Sequence, residues 1–455
     1  MAAIADKFSR LAALKSARQA IRRPDRASLR APDQADPLGQ LPGAAVAKNH
    51  FGEHLAIRNW FSTPEYVEPS RVTLSLLSHT RDESISRKTR AALNDPSKWL
   101  FLDTETTGLA GGTGTYAFLV GLGWWDAAGL QVEQFLMRDF TDEYSMLQEL
   151  ATRVKERPVL LTFNGKSFDW PLLENRFKMT RSLAPPKLAA HLDLLHPARA
   201  LWKLRLGSVR LVELERRVLD ARRLGWHREG DVESALIPQH YFDYLRGGPA
   251  EPLVGIVRHN QMDLRGLAAL FGQINAMLSE SPGFLEECES LDLFGLSRFL
   301  ERRGETSRAR SACAQALAIG LPADVRLKAQ RELALLAKRH GEYERAAEIW
   351  QEMVNHCEDA VHACEQLAIY YERRARDTDR ALEYAKLGLA KLVRKHARAL
   401  HGLREPYREA RFARQEKNFR ERVARLERKA LRPSFPSRHR GAPGVEEPKA
   451  TRALW

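Results

Sequence analysis

The stretch Leu100-Phe101-Leu102-Asp103-Thr104-Glu105-Thr106-Thr107-Gly108-Leu109 constrains this chain more than any other. A short apolar run, the pattern of a buried strand, ends in two carboxylates two residues apart. Period-two alternation puts Asp103 and Glu105 on one face of that strand. Two carboxylates so placed repel each other unless a cation lies between them, and a Mg²⁺ ion would meet that need. Asp-x-Glu also occurs on ordinary surface strands, so the reading depends on partners elsewhere in the chain.

Two further segments offer such partners. Phe163-Asn164-Gly165-Lys166-Ser167-Phe168-Asp169-Trp170-Pro171-Leu172-Leu173 follows the apolar run Val159 to Phe163. Asn-Gly makes a tight turn, and Asp169 stands at a helix entry. There it can cap the helix with its side chain or serve as a third metal carboxylate. His259-Asn260-Gln261-Met262-Asp263 lies in a helical stretch continued by Leu264, Leu267 and Leu270. A spacing of four puts His259 and Asp263 one turn apart on one face, as in many ordinary exposed pairs.

The apolar patterning around these segments predicts a mixed α/β sheet. Trp99–Leu102, Tyr116–Trp125 and Gln131–Leu136 read as strands, Tyr144–Arg153 as an amphipathic helix, and Val159–Phe163 and Leu188–Leu195 as strands separated by a helix over 171–177. After about residue 285 the strands stop. Gly304-Glu-Thr-Ser-Arg308-Ala309 recurs as Gly341-Glu-Tyr-Glu-Arg345-Ala346, and Asp377-Thr-Asp-Arg380-Ala381 makes a third copy in which Asp377 stands for the glycine. A period in the mid-thirties predicts helical hairpins and resembles tetratricopeptide repeats; a plain helical bundle is the blander alternative.

Composition bounds the rest. A chain of 455 residues implies two to four domains. Its apolar fraction of 44% rules out wholesale disorder, and no stretch approaches the length of a membrane span. The four cysteines form no CxxC pair, which points to a reducing, cytoplasmic setting. Residues 391–455 hold 19 Lys and Arg against 7 Asp and Glu, so a surplus of 12 out of the net +14 sits in that tail. Such a run is either a solvated helix with a tail or a clamp on phosphates. Residues 1–24 form a basic amphipathic pattern, read as an arm or, less favourably, a targeting segment; residues 20–48 read as a linker.

In this order and at these gaps, 64 residues from Glu105 to Asp169 and 94 from there to Asp263, the three segments resemble the DEDD exonucleases of the ribonuclease H-like superfamily. Asn164 to Leu173 is similar to the second motif of proofreading domains of family B polymerases. Thr106 to Gly123, His191-Leu-Asp193, Ile237-Pro238 with Tyr241, and His259-Asn260 resemble the YprB-like ribonuclease H-like family, whose members often carry C-terminal tetratricopeptide repeats. The resemblance covers about 50–275 closely and 285–395 more loosely. One departure is in the last motif. The superfamily places a Tyr four residues before the final Asp or a His five before it, and here His259 stands four before.

The resemblance implies a ribonuclease H-like exonuclease domain over 96–280 and tetratricopeptide-like repeats over 285–395; around them the sequence pattern alone is read as a basic arm and linker over 1–48, an N-terminal extension over 49–95 packing on the next domain, and a basic helix and disordered tail over 396–455. It implies a metal-dependent 3′–5′ exonuclease acting on single-stranded DNA or RNA. Asp103, Glu105, Asp169 and Asp263 would hold two Mg²⁺ or Mn²⁺ ions, and His259 would act as base. Thr106, Gly108, Leu109, Asn164 and Lys166 would contact the substrate, and a protein partner could bind the repeats. The rivals are a ribonuclease H-like protein that binds nucleic acid without cutting it and a repeat adaptor whose ligand is a protein. Asp193 would support the site or pair with Arg199 or Arg205. His191 is expected in the core or beside the site. Trp124, Trp125 and Trp170 are expected in the core rather than stacking bases.

Overall fold

The computed structural model describes residues 37–78, 86–108, 114–126, 129–281, 283–399 and 406–431. The arm expected over 1–24, Leu109 and the tail from 432 lie outside the described residues. The chain divides into two compact units, Met1–Ala312 and Cys313–Trp455.

The first unit is built on a seven-stranded mixed sheet in the order β1-β2-β5-β4-β3-β6-β7. The strands are β1 (Ala44–Asn49), β2 (Gly52–Phe61), β3 (Trp99–Thr106), β4 (Ala117–Trp125), β5 (Leu130–Leu136), β6 (Val159–Thr162) and β7 (Ala190–Asp193). The run from β1 to β3 is antiparallel, and β6 and β7 join parallel to β3. Parallel addition needs crossovers, which the helices between these strands supply. Ala44–Asn49, expected within a linker, is an edge strand. Its small side chains give no amphipathic signal, and its place is set by pairing with β2.

Trp99, Leu100, Phe101 and Leu102 are all fully or almost fully buried, because β3 has packed layers on both faces. Leu100 and Leu102 join the large core with α3 (Glu143–Glu156), α4 (Asp169–Thr180) and α7 (Ile237–Leu245). On the other face Trp99 meets Phe271 edge-to-face at 4.9 Å. Phe271 belongs to α8 (Glu251–Ser279), whose Pro252 suits the first helical turn. Going up β3 from Trp99 to Glu105, the α8 partners run down from Phe271 to His259, so the helix lies antiparallel across that face. Trp125 and Trp170 are core residues, and Trp124 packs beneath Arg157 at 4.6 Å.

Helices α1 (Arg71–Ser78), α2 (Arg87–Leu93), α5 (Leu195–Leu206), α6 (Leu211–Leu214) and α9 (Ser290–Arg302) complete most of this unit, and α10 (Thr306–Ile319) runs to its boundary. The second unit is all-helical among its described residues: α11 (Ala323–Arg339), α12 (Tyr343–His356), α13 (Val361–Tyr370), α14 (Thr378–Ala399) and α15 (Pro406–Ala430).

The recurring sequence unit falls at interhelical turns. Gly304 (φ +74°) turns α9 into α10, and Gly341 (φ +81°) turns α11 into α12. In the third copy the left-handed residue is Arg376 (φ +56°), not Asp377, so the register shifts by one. The copies then align on Ala309, Ala346 and Ala381, each fully buried where a larger side chain would hold the helices apart. Among the described residues no helix is long and apolar enough to cross a membrane.

Candidate active site

The site lies where β3, α4 and α8 converge. Asp103 and Glu105 project from the face of β3 that α8 covers. Asp103 sits opposite Gly121 of β4, which in turn sits opposite Gln134 of β5. Gly121 is required here. A Cβ at that position would lie 2.0 Å from Oδ1 of Asn260, on α8. The space that glycine leaves lets the Asn260 amide reach the sheet. Its Nδ2 donates to Asp103 Oδ2 at 2.8 Å, and its Oδ1 accepts from Gln134 Nε2 at 2.8 Å. Gln261 Nε2 then donates to Gln134 Oε1 at 2.9 Å and to Asn59 Oδ1 at 2.8 Å. A buried polar row thus runs across the sheet and ends on Asp103.

Asp169 is the first residue of α4, and the helix has no side-chain cap. Its Oδ1 instead accepts from the hydroxyl of Thr104 on β3. Of the two expectations, capping and convergence on the β3 carboxylates, the geometry therefore favours the second. The turn before it is held by Asp193 at the end of β7. Asp193 accepts from the backbone N–H groups of Asn164 (2.8 Å), Lys166 (3.2 Å) and Leu195 (3.1 Å). Asp193 supports the loop and pairs with neither Arg199 nor Arg205. Arg205 is taken by Asp292 at 2.7 Å. Asn164 adopts a left-handed φ of 70°, the geometry of the Asn-Gly turn. His191 shares a 2.8 Å contact with the Thr162 hydroxyl, beside the site rather than in it.

His259 and Asp263 share one face of α8, as their spacing requires. The imidazole is clamped by Asp231, with Nδ1 at 2.8 and 2.9 Å from its two oxygens. This aims Nε2 at the carboxylates, 3.5 Å from Asp263 Oδ2 and 3.8 Å from Glu105 Oε1. Glu105, His259 and Asp263 bring potential metal-ligand atoms within 4.8 Å of one another. Arg228 closes the far side. It forms a bidentate pair with Glu215 (both bonds 2.7 Å), contacts Asp231 at 3.1 Å and donates to Asp263.

Burial pushes the Asp103 carboxyl well above the usual range, and the charges of Asp263, Glu105 and Asp169 push it further. Burial raises Glu105 to about 8, against the pull of His259, with Asp263 and Asp169 adding to the rise. Asp169 is likewise raised by burial. Burial disfavours the charged form of His259, but the Asp231 bond and the charges of Asp263 and Glu105 outweigh it, and the ring is held above its ordinary value. These are the marks of negative charge concentrated out of water and left short of cation. A set of carboxylate oxygens suits a hard divalent ion such as Mg²⁺ or Mn²⁺. The Asp231 carboxylate behind the ring fixes which imidazole nitrogen faces those oxygens.

Residues 100–275 match the RNase_H superfamily. The chain is 31% identical over 311 residues to "Uncharacterized protein YprB" of Bacillus subtilis (strain 168), an alignment covering 66% of this chain and 72% of that protein. The chain belongs to the RNase_H superfamily. Its ribonuclease H-like fold brings the motif residues Asp103, Glu105, Asp169, His259 and Asp263 within electrostatic reach of one another at the end of β3. Thr106 and Gly108 follow Glu105 directly at the end of β3, and the Thr106 hydroxyl donates to the Gly108 carbonyl at 2.9 Å.

Sequence reasoning missed Arg228, Asp231 and Glu215. They lie in a stretch of irregular turns and short helices with no periodic pattern to mark them. It also missed the role of Gly121, which exists only because Asn260 packs against it.

Proposed function

We propose that this ribonuclease H-like chain is a metal-dependent 3′–5′ exonuclease that hydrolyses phosphodiester bonds in single-stranded nucleic acid. One observation carries the reading. Four carboxylates from three separate elements converge beside an imidazole oriented from behind, and burial pushes three of them, Asp103, Glu105 and Asp169, above their ordinary range. Without a ligand such an arrangement destabilises the fold, and it makes chemical sense as a cation site. The direction of digestion rests on the motif resemblance alone.

In this reading Asp103, Glu105, Asp169 and Asp263 hold two Mg²⁺ or Mn²⁺ ions. When bound, the ions supply charge stabilisation at the reacting phosphate and lower the pKa of an attacking water. His259 takes the water's proton at Nε2, and Asp231 fixes the ring so that this nitrogen faces the substrate. Backbone groups of Thr106, Gly108 and Leu109 position the terminal nucleotide. Asn164 and Lys166, held by Asp193, lie along the strand. The helical repeats would take a protein partner, in a cytoplasmic setting.

One observation favours a second reading, nucleic-acid binding without cleavage. Arg228 already pairs with Asp263 and so occupies part of the ligand set. The test is incubation with Mn²⁺ or Mg²⁺ and 5′-labelled single-stranded DNA and RNA, with an Asp103→Asn plus Glu105→Gln variant alongside. A ladder shortening from the 3′ end, absent in the variant, supports the exonuclease and identifies the sugar. Salt-sensitive binding with no cleavage by either protein supports the second reading.

A further inference from the structure

The helix pair α5 and α9 carries a groove of about 640 Å³. Its basic side chains are Arg199, Lys203, Arg298, Arg302 and Arg303, with His196 beside them, and no carboxylate is among the lining residues. The spacing explains the alignment. Residues 196, 199 and 203 recur at three and four on α5, and Arg298 and Arg302 lie four apart on α9 with Arg303 just past its end, so each helix offers one basic edge. Gly295 lets the edges approach: a Cβ there would lie 2.4 Å from the Leu201 carbonyl oxygen. The bidentate pair of Arg205 with Asp292 locks the same two helices together. Arg199, Lys203 and Arg302 are exposed along the groove. Burial pushes the Arg303 guanidinium down, with no carboxylate to counter it.

Two features indicate what occupies this groove. Most of the chain's surplus charge lies beyond residue 390, so the sheet unit is close to neutral in total. A groove on it lined by five Arg and Lys side chains and no carboxylate is local segregation of charge, which suits a polyanion. The groove also starts beside the active site. His196 is in the first turn of α5, which leaves β7 at Asp193, and Asp193 holds the Asn164–Lys166 loop leading to Asp169. From there α5 runs for 12 residues, roughly 18 Å.

We propose that the α5/α9 groove binds the phosphate backbone of the single strand whose end lies in the active site, and so sets how strongly substrate length affects affinity. This deepens the nuclease reading and rests on it for the identity of the strand. The cations contact phosphates and no bases, so binding is independent of sequence and falls with salt.

The test uses the full chain in EDTA, so that binding is read without cleavage. Fluorescence anisotropy follows a labelled tetranucleotide and a labelled twenty-nucleotide single strand across a salt series. The proteins are wild type, an Arg199→Glu/Lys203→Glu/Arg302→Glu variant, and a charge-preserving Arg199→Lys/Arg302→Lys control. All carry the same basic tail, so their differences report the groove. Wild type is expected to prefer the long strand, and charge reversal to weaken it about ten-fold or more while reducing the salt slope by about two. Tetranucleotide binding should change little, and the lysine control should follow wild type. Equal long-strand affinity and slope in the charge-reversed variant, or no length preference in wild type, would overturn the proposal. Failure of the nuclease reading is distinguishable: wild type would then bind the long strand through the groove yet leave it uncut when Mn²⁺ is added.

Discussion

Gly121→Ala should cost far more than a single methyl group on a buried strand normally does. Its Cβ would fall 2.0 Å from Asn260 Oδ1 and 2.8 Å from Asn260 Cγ and Nδ2. An amide head can often swing aside, but this one is fully buried and tied at both atoms, to Asp103 and to Gln134. Relief therefore means breaking those bonds or moving α8 off the sheet. Overpacking costs about 1–3 kcal/mol and a lost bond to a buried carboxylate about 1.5–3 kcal/mol, so we expect about 3 kcal/mol in total. Asn260→Ala alone should cost about 2 kcal/mol, since Gln134 keeps its bond to the Val257 carbonyl.

The double variant decides the matter. With Asn260 cut back to alanine the obstruction is gone, and alanine is better than glycine in a strand by about 0.5 kcal/mol. The pair should then cost about 2 kcal/mol, not the roughly 5 kcal/mol of independent effects, a coupling near 3 kcal/mol. Urea unfolding followed by tryptophan fluorescence measures each corner of the cycle. Additivity within about 0.5 kcal/mol would refute the claim that Gly121 exists to admit Asn260.

Other perturbations test other parts of the site and its frame. Arg228→Met leaves Glu215, whose side chain is 2% exposed, without its bidentate partner, and should cost about 3–5 kcal/mol in urea unfolding; adding Glu215→Gln should recover a large part. Arg176→Met likewise strands Glu143, both of whose oxygens Arg176 holds, at 2.5 and 2.6 Å. A loss under about 1 kcal/mol would show that pair to be dispensable. His54 is fully buried, and burial pushes its pKa down from 6.5 to about 4 against the pull of the Glu133 charge. The unfolded chain then takes up the proton more readily, so stability present above pH 6.5 falls as pH drops toward 4, by up to about 3 kcal/mol. His54→Gln should flatten that part of the stability profile, and an unchanged slope would refute the assignment.

What could be read from the sequence was whatever local periodicity encodes. Asp103 and Glu105 stand out because a fully apolar run stops at two acids on one pleat face. His259 and Asp263 stand out because helical spacing stacks them. The sheet centre was legible for the same reason, and β1 was not, because Ala44–Asn49 has neither alternation nor bulk. The register of the third repeat also misled. A glycine was sought at Asp377, whereas the turn needs only one residue able to take a left-handed φ, and Arg376 does so. Arg228, Asp231 and Glu215 reach the site from irregular backbone, and nothing local distinguishes them from other surface charges. Gly121 and Gly295 have meaning only through residues that tertiary structure brings against them, so each looked like a glycine lodged in a strand or a helix.

The charge balance of the cleft leads to the most direct test of its ligand. Asp103, Glu105, Asp169, Asp263, Asp231 and Glu215 contribute six carboxylates, against Arg228 and, when it carries a proton, His259. Fully ionised, the cluster would carry four uncompensated negative charges, more than a buried site can hold. The protein answers by keeping protons: burial raises Glu105 to about 8, so near pH 7 it is largely neutral, and Asp103 is raised well above its ordinary value. Two divalent cations would cancel the same four charges and expel those protons. Calorimetric titration with Mn²⁺ near pH 7, in two buffers of different ionisation enthalpy, should therefore give two ions per chain with release of about one or two protons. Near pH 9 the metal-free Glu105 has already lost its proton, so the release should shrink and the apparent affinity rise. Heats that do not depend on the buffer, or a single ion bound without proton release, would mean that the carboxylates are neutralised from within, by Arg228 and His259, and that the cleft is not built around metal.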